Sequence, residues 1–207
     1  MKKRTIIDIF LIILLLVLLI FLGKKDYSKE TEGKDSKRFD KDYSMVSNDN
    51  NFKYITEEEL YDKMQKENIV VFMGFKENEW CNYYAKILNE VATEKKVEVY
   101  YYDFLADREK QSVTYKKIVK YLEDYLYKDD MGKVNLVAPS LLIIKNKNVF
   151  LYDKETSTTD AKVKPKDYWN EENINYKKEV LREVFDTFLA SEEDLGVDLG
   201  GTNGGEE

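Results

Sequence analysis

The stretch "IVVFMGFKENEWCNYYAKILNEVA", residues 69–92, decides the fold. Residues 69–75 form a short apolar run rich in β-branched side chains, the pattern of a buried strand. From Cys81 onward the apolar positions Cys81, Tyr84, Ala85, Leu88 and Ala92 recur at helical spacing. A strand therefore passes through Gly74 into a helix, and the only cysteine of the chain sits near that helix's start, next to Trp80.

The same alternation extends on both sides. Upstream, Thr56 followed by Glu59 is a capping box that predicts a helix. Downstream, "VEVYYYDF" (97–104) reads as a strand, and Val113, Ile118, Leu122, Tyr125 and Leu126 mark an amphipathic helix. "SLLIIKNKNVFLYD" (140–153) reads as a hairpin with a polar turn at Asn146–Asn148. Residues 156–173 read as a loop, and Leu181, Val184, Phe185, Phe188 and Leu189 stripe a last helix. This order predicts an α/β domain over 52–190, with a central mixed sheet flanked by helices.

The flanks differ in kind. Residues 1–23 carry Lys2, Lys3 and Arg4, then an uninterrupted apolar run from Ile9 to Leu22. With Ile6 and Ile7 it approaches the roughly 20 residues that a bilayer-crossing helix needs. Phe21-Leu22-Gly23 is a poor cleavage site, so the expectation is an uncleaved, single-pass signal anchor in the cell membrane with an extracytoplasmic C-terminal domain. A buried core helix is the alternative, although such helices are rarely apolar all round. Residues 24–51 are almost wholly polar and read as a flexible tether. Residues 191–207 read as an acidic, disordered tail.

The net charge is -7, and six acidic residues with no basic ones fall in 191–207, leaving about -1 elsewhere. That balance gives no reason to expect nucleic-acid binding. With no histidine in the chain, imidazole bases, Ser/His/Asp triads, Cys/His dyads and His-ligated metals are excluded. No loop has calcium-site spacing, and "GTNGG" (201–205) lacks the lysine and strand context of a phosphate loop. Neither a metal nor a cofactor is expected.

Gly74, the three residues Phe75-Lys76-Glu77, then Asn78-Glu79-Trp80-Cys81 and a helix ending Leu88-Asn89-Glu90-Val91-Ala92 resemble the thioredoxin-like pattern of strand, Gly, three residues and Cys-x-x-Cys. Ala138-Pro139-Ser140 stands where that family places its cis-proline. With the anchor, the chain resembles membrane-anchored extracytoplasmic thioredoxin-like proteins of Gram-positive bacteria, including the bacteriocin-transport accessory type. The resemblance implies a thioredoxin-like three-layer sandwich. In the ungapped register it puts Asn78 at the nucleophilic cysteine, Cys81 at the resolving one and Phe72 at the buried carboxylate. A second register takes Trp80-Cys81 as the family's Trp-Cys, at the cost of a gap before the helix.

The two registers lead to different chemistry. Asparagine cannot attack a disulfide, so the first implies an accessory module that binds an extended peptide or protein partner through Asn78, Glu79, Trp80, Ala138, Pro139 and Ser140. There Trp80 is expected to project near the groove with Tyr83 and Tyr84. The second implies a monothiol oxidoreductase with Cys81 as its catalytic nucleophile, exposed and with a lowered pKa. A structural spacer is the third reading.

Overall fold

The computed structural model describes residues 34–190 apart from 48, 130 and 159. The expected anchor (1–23), the first ten residues of the expected tether and the expected tail (191–207) lie outside the described residues. Among the described residues no helix is long and apolar enough to cross a membrane.

Five strands form one sheet: β1 (Phe52–Tyr54), β2 (Ile69–Gly74), β3 (Val99–Asp103), β4 (Ser140–Lys145) and β5 (Asn148–Asp153). Their order is β1-β3-β2-β4-β5, with β1, β3 and β2 parallel and β4 and β5 antiparallel. All six residues of β2 are buried, as a central strand covered on both faces requires. Val70 and Phe72 enter one core cluster, Val71 and Met73 the other. Helices cover both faces, so the architecture is a mixed α/β fold around a five-stranded mixed sheet.

One face carries α1 (34–42), α3 (Glu79–Lys95) and α7 (Glu171–Leu189), and the other carries α2 (Glu57–Met64) and α5 (Val113–Tyr121). Two short helices, α4 (Leu105–Lys110) and α6 (Pro165–Tyr168), join them. The Thr56 box is formed as expected: the hydroxyl accepts from Glu59 N–H at 3.2 Å, and the Glu59 carboxylate accepts from Thr56 N–H at 3.0 Å. The β4–β5 turn has positive φ at Asn146 and Lys147, the left-handed pair that a two-residue hairpin favours. The expected long helix from Val113 instead stops at Tyr121, and Val113 and Tyr125 are exposed.

The polar-tether reading of 24–51 fails from residue 34 on. Phe39, Tyr43 and Val46, spaced as i, i+4 and i+7, are buried against the sheet. Phe39 stacks on Phe52 with ring centroids 3.8 Å apart and meets Tyr101 edge-on at 5.2 Å. The inward acids are satisfied too: Asp35 accepts from Tyr54 N–H, and Asp42 accepts from Tyr54 O–H at 2.6 Å and from Lys76. Three apolar anchors and internally bonded carboxylates hold a polar-looking segment to the core. The folded unit thus begins by residue 34 rather than 52.

Candidate functional site

At the C-terminal end of β2 the chain turns through residues 75–78 into α3. Asn78 is the N-cap: its Oδ1 accepts from Trp80 N–H at 2.9 Å, satisfying one of the helix's unpaired donors. Its Nδ2 donates to the Ala138 carbonyl at 3.2 Å. One amide side chain thus ties the start of α3 to the loop preceding β4. The Ala138–Pro139 bond in that loop is cis.

Cys81 lies one turn into α3 and is fully buried. A Cβ placed on Gly74 would fall 2.8 Å from its Sγ and 3.2 Å from the Phe72 ring, so the sulfur packs directly on the strand backbone. Burial pushes the thiol pKa up to about 12, with Asp103 and Glu77 adding to the rise and a hydrogen bond with the Phe75 backbone opposing it. At neutral pH the group is a protonated thiol in an apolar setting, the opposite of an activated thiolate. Phe72, which the expected ungapped register aligned with a carboxylate, is also fully buried. Burial also raises the pKa of Asp103, at the end of β3.

The expected binding residues divide. Glu79 is exposed, Asn78, Trp80 and Ala138 are half-buried, and Pro139 and Ser140 are buried. Ser140 spends its hydroxyl internally, donating to the Val137 carbonyl at 2.8 Å. It therefore supports the loop and leaves the contact surface to Asn78, Glu79, Trp80 and Ala138. Trp80 does not project freely, because its ring meets Tyr168 of α6 edge-on at 5.4 Å. Tyr84, expected beside the groove, is in the core. Tyr83 instead lines a groove of about 330 Å³ with Met45, Ile87 and Ile174.

Three residues that sequence reasoning did not single out brace this end of the sheet. The Thr156 hydroxyl donates to the Pro139 carbonyl. Asp153, at the end of β5, accepts from Lys177 Nζ at 2.9 Å and from Tyr84 O–H at 3.1 Å. Lys177 is only 7% exposed, and its place between Ile174 and Leu181 on the inward stripe of α7 was the signal that it is not a surface lysine. Among the described residues no group of three or more acidic or cysteine side chains is arranged to hold a metal ion. Ala138 N–H has no acceptor among the described residues. It is an unclaimed backbone donor on the residue whose carbonyl Asn78 holds.

No family model matches the chain, and comparison with curated proteins gives no match. The site's geometry therefore has to carry the functional reading by itself.

Proposed function

We propose that the chain is a membrane-tethered, thioredoxin-like accessory module that binds an extended peptide or a protein partner and performs no dithiol chemistry. The single observation that carries this reading is Asn78 capping α3 while holding Ala138. An amide takes the position where the family's chemistry needs a thiolate, and the neighbouring N–H of Ala138 remains available. An incoming strand can accept a hydrogen bond from that donor, with Trp80 and Glu79 alongside. The tether belongs to the proposal: it rests on the apolar run from Ile9 to Leu22 and implies a cell-membrane location. The monothiol alternative requires an exposed sulfur of lowered pKa, and the buried, raised Cys81 thiol weighs against it.

Two measurements on the full chain in detergent test the proposal. Insulin reduction driven by dithiothreitol should proceed no faster with the protein than without it, and a rate well above that baseline overturns the accessory reading. Binding to an immobilised library of extended peptides should be weakened by Trp80→Ala and by Glu79→Lys. Unchanged binding in both variants assigns capture to another face. The register is tested separately by Asn78→Cys. N-cap and N3 side chains lie within mutual reach, so mild oxidation with a disulfide reagent, which takes up the two electrons, should join the introduced thiol to Cys81, read as the loss of two hydrogen atoms' mass and of free thiol.

A further inference from the structure

The helix α1 has two chemically distinct faces. Asp35, Phe39 and Asp42 turn inward, while Lys34, Lys37, Arg38 and Lys41, at i, i+3, i+4 and i+7, are exposed along the outer side. The inward acids already have partners in Tyr54 and Lys76. Arg38 lies with its guanidinium carbon 3.8 Å from the Tyr54 ring centroid, and its nearest approach to Asp42 is 3.9 Å. Asp40 is half-buried on the flank. The outer stripe is therefore a basic face on a chain whose net charge is -7, so composition alone does not produce it.

Its position in the chain says what it meets. Only residues 24–33 separate the expected anchor's end at Gly23 from Lys34, and ten residues reach at most about 35 Å. Because α1 is fixed to the core through Phe39, Tyr43 and Val46, whatever holds α1 also orients the sheet and the Asn78–Ala138 end.

We propose that the outer face of α1, through Lys37, Arg38 and Lys41, docks on anionic lipid headgroups and lays the domain on the membrane surface. This rests on the membrane-tether reading above. Juxtamembrane cations are drawn to anionic surfaces within about one Debye length. A tether of at most about 35 Å lets the basic face come within that range.

The test uses the full chain mixed into vesicles of phosphatidylcholine alone or of phosphatidylcholine with phosphatidylglycerol. Flotation is measured together with residue-resolved amine labelling of Lys37 and Lys41, with Lys116 on α5 as the reference. The expected result is flotation with both vesicles, with labelling of Lys37 and Lys41 slowed by about threefold or more only on the anionic ones and restored by high salt, while Lys116 is unchanged. Flotation with both and equal labelling overturns the docking and leaves the tether standing. Flotation with anionic vesicles only, abolished by Lys37→Glu with Lys41→Glu, supports the docking and removes the tether. Flotation with neither removes both. Protection by soluble polyglutamate on neutral vesicles, with none from anionic lipid, makes the occupant an acidic chain and overturns the lipid assignment.

Discussion

Asn78 and Ala138 stand 60 positions apart, and the 3.2 Å bond from the Asn78 amide to the Ala138 carbonyl is the link between the start of α3 and the loop before β4. The same side chain caps the helix through Trp80 N–H, so its two ends do separable work. Asn78→Ala removes both and is expected to cost about 1–2 kcal/mol. Asn78→Asp keeps the cap acceptor and loses the donor, so it should fall between the wild type and the alanine variant. Urea midpoints at constant m-value read the series. An aspartate variant as stable as the wild type would show that the Ala138 bond is worth no more than the charge–dipole gain of an acidic N-cap, about 0.3–1 kcal/mol.

Gly74 faces the Cys81 sulfur across a space with no room for a methyl group. Gly74→Ala should therefore lose about 1–3 kcal/mol through overpacking. Cys81→Ala opens a small void at the same place, and the double variant should regain part of the loss. A double-mutant cycle is expected to give a favourable coupling of about 0.5 kcal/mol or more. Additive losses would mean that the strand backbone, not the sulfur, sets the limit.

Alkaline pH probes the same burial. The Cys81 thiol, ordinarily near 9.0, is pushed up to about 12 by burial, and the Tyr152 phenol, ordinarily near 10.0, also rises to about 12, again chiefly by burial. As pH climbs past these ordinary values, the unfolded chain releases protons that the folded chain keeps, so the unfolded state gains. Stability contributed by these groups is full below pH 9 and is lost between pH 9 and about 12. Each such group steepens the decline by at most about 1.4 kcal/mol per pH unit. Cys81→Ala, although less stable at neutral pH, should show a shallower decline across the first part of that window in urea midpoints. Parallel curves would mean that the thiol titrates as if exposed.

Local pattern made the core of this fold legible. The run 69–75 and the stripe from Cys81 to Ala92 became β2 and α3, and the segment 140–153 became a hairpin whose turn is Asn146-Lys147. What escaped depended on long-range partners. The three residues of β1 have no run to announce them and exist because Phe52 and Tyr54 pair beside β3. Lys177 lies on the inward stripe of α7, but its acceptor Asp153 is on another element, so the pair has no local signature. The Asn78 bond joins segments whose proximity only the closed sheet provides. In α1 the stripe Phe39, Tyr43 and Val46 was present, but its outward lysines and its two inward carboxylates gave the segment a tether's composition.

That helix gives the last prediction. Phe39 is fully buried and lies between Phe52, Tyr101 and the Tyr43 ring, with the Tyr43 hydroxyl donating to Tyr101 at 2.9 Å. Phe39→Ala should cost about 3–5 kcal/mol, a large share of the roughly 5–15 kcal/mol that holds a domain together. Tyr43→Phe removes one hydroxyl, leaves its Tyr101 partner unpaired in the core, and should cost about 1–3 kcal/mol. A chain beginning at residue 52 uncovers the faces of Phe52, Phe72 and Tyr101 and is expected to lose its cooperative unfolding transition, whereas one beginning at residue 34 keeps it. If the shorter chain melts at the full chain's midpoint, α1 is an appendage of the core rather than part of it.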